Sequence, residues 1–221
     1  MRILLWGCTY SMWTVHFIDH FLLKNNYEVW ILKKSNKKEY IDLFESRGVH
    51  LIECPKLVTD WYDGKIKIHI LKILYIHFLQ IKTAVKSGHY DLINLHCVEC
   101  YTLIDTFILK SIMRTKWILS YWGSDLLRLK NRTLRVMGLL AKHADYVTFE
   151  NKDLKNKFFK IYKWADRIES TTALFGLALF DNIIKEQKKK TDAEIRQEWG
   201  IPEDKSIIAI GYNGIPQQQH I

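Results

Sequence analysis

Six apolar runs of strand length punctuate the first 150 residues: Ile3–Trp6, Val29–Leu32, Val49–Ile52, Leu92–Leu95, Trp117–Tyr121 and Tyr146–Phe149. They are apolar on both sides of the pleat, the pattern of strands covered on both faces. Segments with helical spacing lie between them, among them Met12–Leu23, Tyr40–Ser46, Glu99–Met113 and Leu154–Trp164. Strand and helix alternating in this way predict an α/β fold with an open, doubly wound parallel sheet, because right-handed crossovers leave few other arrangements. Asp91 and Asp145 each stand just before a buried run and are read as caps at the edge of the sheet away from the ligand-binding loops.

The pattern changes after residue 180. Lys185–Thr191 is charged, and Asp192–Trp199 reads as a short helix capped by Thr191 and ended by Gly200 and Pro202. Lys205–Gly214 then reads as a strand, Ile207–Ile210, running into a Gly/Asn turn. The expected organisation is a Rossmann-like domain over 1–180, an interdomain linker over 181–205, and the first strand and turn of a second domain over 206–221.

Lys65–Lys86 is a long and very apolar helix candidate. Helical spacing assigns Ile66, Ile70, Ile73, Leu74, Ile81 and Val85 to the sheet-facing stripe. It leaves Tyr75, Ile76 and Leu79 near the face that bears Lys72 and Lys86. Apolar residues interleaved with lysines suit an anionic bilayer surface, and Lys72, Tyr75, Leu79 and Lys86 are the residues expected to face it. A second basic segment, Lys152–Lys163, carries five lysines. Packing against an insertion or a partner subunit explains such a helix equally well.

Composition narrows the function without fixing it. The net charge of +9 favours anionic partners, although a surface that simply uses lysine as its default polar residue gives the same number. The lysines are scattered and no RNA- or DNA-binding signature accompanies them, which speaks against nucleic acid. Four cysteines in 221 residues make no disulfide framework, and Cys8, Cys54, Cys97 and Cys100 read as small buried hydrophobes in a reducing cytoplasm. No stretch is long and apolar enough to span a bilayer.

Ligands of open α/β sheets bind beyond the carboxyl ends of the strands. The first such loop, Gly7-Cys-Thr-Tyr-Ser11, lacks the dinucleotide fingerprint. Gly7 still permits close backbone approach, and Thr9 or Ser11 can offer a hydroxyl and amides at a helix N-terminus. A tight turn capped by Ser11 fits as well. His96 ends the fourth run and opens Cys97-x-x-Cys100, a lone pair with no further ligands and therefore a weak metal or redox signal. Tyr121-Trp-Gly-Ser-Asp125 is the sharpest element: Gly123 lets the backbone turn near a ligand, Ser124 or Asp125 can cap the next segment or hold sugar hydroxyls, and Trp122 can stack on a ring. Glu150 follows the sixth run.

The succession of these elements resembles the N-terminal half of a GT-B glycosyltransferase of family 4 ("group 1"). Gly123-Ser-Asp125 matches the last part of the family's His-Gly-Ser-Asp, with Trp122 in place of the histidine. His143–Leu154 is similar to the segment around its sixth strand, Thr171–Phe180 to a loop with Gly176, and Glu198–Lys205 to the approach to the donor-binding domain. Phe175-Gly-Leu-Ala departs from the family's Asn-Gly-Val-Asp. Gly211-Tyr-Asn-Gly214 lacks the basic donor-phosphate signature, and the family's Glu-x7-Glu segment is expected in a second domain beyond residue 221.

The resemblance implies retaining transfer of a hexose from a nucleotide sugar to a lipid-linked or saccharide acceptor in cell-surface polysaccharide synthesis, without metal or other cofactor. The nucleotide sugar is expected mainly on a second domain, with Gly211 and Asn213 at its near end. The acceptor is expected on Gly7, Thr9, Ser11, His96, Trp122, Gly123, Ser124, Asp125 and Glu150, and no catalytic residue is assigned. The 1–221 chain alone is expected to be inactive, cytoplasmic and peripheral on the inner face of the membrane. A non-catalytic sugar- or nucleotide-binding module of the same fold is the alternative, and a basic nucleic-acid-binding domain a weaker one.

Overall fold

Seven parallel strands form the centre of the computed structural model, in the order β3-β2-β1-β4-β5-β6-β7. The structure describes residues 1–7, 12–66, 70–96, 98–173, 184–185 and 189–206, without the side chains of residues 12, 13, 70 and 124. The chain divides into two compact units, Met1–Ala178 and Leu179–Ile221.

In the first unit the strands are β1 (Arg2–Gly7), β2 (Glu28–Lys33), β3 (His50–Glu53), β4 (Leu92–His96), β5 (Lys116–Tyr121), β6 (Tyr146–Phe149) and β7 (Glu169–Thr172). The helices are α1 (Met12–Phe17), α2 (Lys38–Glu45), α3 (Lys56–Tyr62), α4 (Ile70–Lys86), α5 (Cys100–Met113), α6 (Ser124–Leu127), α7 (Asn131–Ala141) and α8 (Lys152–Ile161). The six expected strands form where the apolar runs lie. β7 is not among the expected strands, because Glu-Ser-Thr-Thr carries no apolar signal, and its last two residues fall at the start of the expected loop Thr171–Phe180. It is an edge strand, and its alternately half-buried residues pair with β6.

The strand order reverses between β1 and β4, where Gly7 stands opposite His96 in the parallel register. Two cores cover the two faces of the sheet. One packs Val15, Phe17, Ile18 and Leu22 of α1 and the turns after it, with Tyr40 and Phe44 of α2, on β1 and β2. The other packs Ile81 and Ala84 of α4, Leu103 and Leu109 of α5, Leu134 and Met137 of α7, and Leu154 and Phe158 of α8 on the opposite face. Tyr121, Phe149, Phe158, Tyr162 and Trp164 pack there in one aromatic cluster of stacked, tilted and edge-on rings.

Both aspartates before buried runs act as caps. Asp91 accepts the Arg2 amide at 2.7 Å, and Asp145 accepts the Trp117 amide at 2.9 Å while pairing with Lys110. Each carboxylate thus satisfies an amide at the start of a neighbouring strand.

Helix α4 sits rotated from its expected phase. Ile76, Gln80, Ile81 and Ala84 are buried, whereas Leu74, expected to face the sheet, is more than half exposed. The cause is a cross-helix pair: His77 Nδ1 lies 2.6 Å from the Asp105 carboxylate of α5, and turning His77 toward α5 carries Leu74 outward. Ile76 moves from the lysine-bearing face into the core for the same reason.

In the second unit, Asp192–Glu198 is helical as expected, and Thr191 caps it through a reciprocal capping box with Glu194. The strand and turn expected over 207–221, with Gly211 and Asn213, lie outside the described residues.

Candidate functional site

The carboxyl ends of β1, β4, β5 and β6 lie along one edge of the sheet, and the strand order reverses between β1 and β4. Gly7 ends β1 at φ +96°, and a β-carbon there would stand 2.0 Å from the His96 carbonyl oxygen. Only glycine lets these two strand ends approach so closely. Thr9, Ser11 and Cys97 lie outside the described residues, and the Ser124 side chain is not described.

His96 is fully buried at the end of β4. Its ring centroid lies 4.3 Å from that of Phe17 and 5.3 Å from that of Trp122. Burial lowers its pKa to about 3, so the imidazole is neutral at physiological pH. It therefore serves as a packed, uncharged ring between α1 and the loop after β5.

Asp125 ties the loops after β4 and β5 together. Its Oδ1 accepts the Gly123 amide at 2.8 Å and its Oδ2 the Val98 amide at 3.1 Å, while the Trp122 amide lies 3.1 Å from both oxygens. Three orphan amides at the sheet edge are satisfied by one carboxylate. Desolvation outweighs these bonds and raises its pKa to about 6. Sequence reasoning left Asp125 open between a cap and a sugar contact. Among the described residues its polar contacts are those of a cap, and it holds Trp122 and Gly123 in place.

Trp122 is half-buried against the first core, and Gly123 adopts φ +112°. The Glu150 carboxylate comes within 3.9 Å of where a Gly123 β-carbon would be, and burial raises its pKa. The structure thus brings Gly7, His96, Trp122, Gly123, Asp125 and Glu150 to one edge of the sheet. A cavity of about 280 Å³ opens beside Asp125, lined by Val98, Glu99, Cys100, Leu129, Thr133 and Met137.

One residue at this edge escaped the sequence reading. Lys34 follows β2, is buried, and donates to the Gly7 carbonyl at 3.3 Å. Its ammonium lies 5.5 Å from the Trp6 ring centroid and 5.2 Å from that of Tyr62. A lysine directly after an apolar strand was the available signal, but its pairing with aromatic faces depends on packing across three elements. Cys54, beyond β3, is a half-buried thiol whose pKa burial pushes up to about 11, which disfavours the thiolate. Among the described residues no group of three His, Cys, Asp or Glu side chains could hold a metal ion.

Residues 2–151 match the protein family described as glycosyl transferase 4-like. No curated protein matches the chain. Among solved structures, it is similar to Anabaena Alr3699/HepE in complex with UDP and glucose, with a TM-score of 0.56 and 17% identity over 90% of this chain and 50% of that one. The UDP complex of the same protein gives a TM-score of 0.54 and 15% identity over 90% and 49%. This chain therefore spans about half the length of the structures it matches, and at such identity the likeness shows the fold.

Proposed function

We propose, from the fact that the chain belongs to the glycosyl transferase 4-like family, that residues 1–221 are the acceptor-side half of a GT-B glycosyltransferase. The observation that carries this reading is the edge at the β1–β4 switch point, where Asp125 fixes the loops after β4 and β5 beside Gly7. A rigid edge of this kind, with Trp122 and Glu150 beside it, suits a saccharide, which is recognised by ring stacking and by hydrogen bonds to its hydroxyls.

In this account the donor is a nucleotide sugar, by analogy with the UDP and glucose complexed with HepE, and a second domain holds most of it. Gly211 and Asn213 belong to the near end of that domain. The sugar passes with retention to a lipid-linked or saccharide acceptor resting on Gly7, Thr9, Ser11, His96, Trp122, Gly123, Ser124, Asp125 and Glu150. His96 contributes shape beneath the acceptor, because its ring is buried and neutral. The setting is cell-surface polysaccharide synthesis on the inner face of the membrane. In this account attachment there is peripheral; no helix of the described residues is long and apolar enough to cross a membrane.

The test is transfer of label from UDP-glucose and other nucleotide sugars into extracted cell-envelope lipid and polysaccharide. It is run with 1–221 and with the product of its whole reading frame. The proposal expects label only from the latter. Label from 1–221 alone would refute the assignment of a half-site, and label from neither would refute the activity.

A further inference from the structure

Helices α4, α5 and α7 cover one face of the sheet, and on their described residues only Asp105 carries a carboxylate that is not part of a cap or turn. It is buried and paired with His77. The same three helices carry Lys72, Lys82, Lys86, Lys110, Arg132 and Arg135. The next helix in the layer, α8, adds four lysines against one aspartate, so both basic segments of the sequence come to the same side of the molecule.

Between these cations the surface is apolar. Leu71, Leu74, Tyr75 and Phe78 of α4 are 53–77% exposed, and Tyr101, Ile104, Ile108 and Ile112 of α5 are 37–54% exposed. The two stripes meet across the His77–Asp105 pair, where the His77 ring stacks on Tyr101 with centroids 5.5 Å apart. Together they expose on the order of several hundred Å² of apolar surface, beyond what scattered single residues give.

Lys82 and Lys86, one turn apart, stand where this ridge borders a groove of about 520 Å³ between α4 and the edge strand β3. The groove is lined by Ile52, Cys54, Pro55 and Leu79 as well. Lys72, Lys82 and Lys86 make no ion pair among the described residues. The nearest carboxylate in the groove, Glu53, is held by Lys33 at 2.7 Å.

We infer that the α4–α5 face docks on an anionic bilayer, with the apolar ridge in the interface and Lys72, Lys82 and Lys86 on lipid phosphates. Charge complementarity selects this occupant. A second copy of the chain, docked about a two-fold axis, would set this cationic face against itself. A leaflet with anionic headgroups supplies the opposite charge and an apolar layer at the depth the exposed rings and aliphatic chains require. The lipid-linked acceptor proposed above gives this surface its purpose, and the sequence reading of Lys72, Tyr75, Leu79 and Lys86 here widens to two helices and a groove.

The experiment is flotation of purified 1–221, and of the product of its whole reading frame, with vesicles of phosphatidylcholine alone or with phosphatidylglycerol added. No donor sugar is present, so the outcome is independent of transferase activity. Both proteins should float with the anionic vesicles at least tenfold more strongly than with the neutral ones, and salt should weaken the binding. The triple variants Lys72→Glu/Lys82→Glu/Lys86→Glu and Leu71→Ser/Leu74→Ser/Phe78→Ser should each lose at least tenfold with unchanged far-UV circular dichroism. A control at α2, Lys38→Glu, should bind as the parent does. Equal binding to both vesicle types, binding indifferent to both triple variants, or binding by 1–221 but not by the longer product would overturn the proposal. So would a concentration-dependent dimer abolished by the leucine and phenylalanine changes.

Discussion

A β-carbon on Gly7 would stand 2.0 Å from the carbonyl oxygen of His96, its neighbour across the parallel sheet. No van der Waals contact between carbon and oxygen is that short, and φ of +96° adds backbone strain for any L-residue. Gly7→Ala is therefore expected to destabilise the first unit by about 3 kcal/mol or more, read by urea unfolding. A loss below about 1 kcal/mol would show that the two strand ends are free to separate.

Asp125→Ala should leave three amides at the sheet edge without their acceptor, at a cost of about 1.5–3 kcal/mol. The raised carboxyl adds a pH signature. With a native pKa of about 6 against about 3.9 unfolded, the folded state holds an extra proton between those values. Its contribution to stability therefore grows as the pH falls from about 6 to about 4. Asp125→Asn, which removes that term, should cost more at pH 4.5 than at pH 7, by about 1–2 kcal/mol in urea unfolding.

His96 acts with the opposite sign. Its native pKa of about 3 lies below the unfolded value of about 6.5, so the unfolded chain binds the extra proton in between. Its stabilising term is complete above about pH 6.5 and is lost progressively as the pH falls toward 3. A His96→Asn variant should show a shallower loss of stability between pH 6.5 and 4.5 than the parent. The His96 ring resonances of the folded parent should stay fixed from pH 8 to 5, and a midpoint near 6.5 would contradict the burial.

The Tyr121 hydroxyl is buried with no hydrogen-bond partner among the described residues. Burial holds its pKa well above the ordinary phenol value. Removing an unsatisfied polar group from a core costs nothing and recovers its desolvation penalty. Tyr121→Phe should unfold at a temperature equal to or higher than the parent, and a drop of several degrees in calorimetry would reveal a partner for the hydroxyl.

The sheet was legible in the sequence because its central strands are buried on both faces and announce themselves by composition alone. β7 was not, since an edge strand of Glu-Ser-Thr-Thr pairs through its backbone and needs no apolar side chains. The phase of α4 was misread because Leu74 and Ile76 are equally apolar, and the His77–Asp105 pair that chooses between them joins residues 28 apart. At the sheet edge, Gly7 and the Trp122–Asp125 turn stood out as local patterns. Lys34 did not, because its role arises only when β1, β2 and α3 come together.

The most direct test of the account is an amide map of ¹⁵N-labelled 1–221 titrated with methyl glycosides of the common hexoses. An acceptor-side half predicts that at least one saccharide shifts the amides of Gly7, Val98, Trp122, Gly123 and Glu150 while those of α4 and α5 stay still. Shifts confined to other regions, or none with any saccharide at millimolar concentration, would contradict the assignment of this edge to a sugar acceptor.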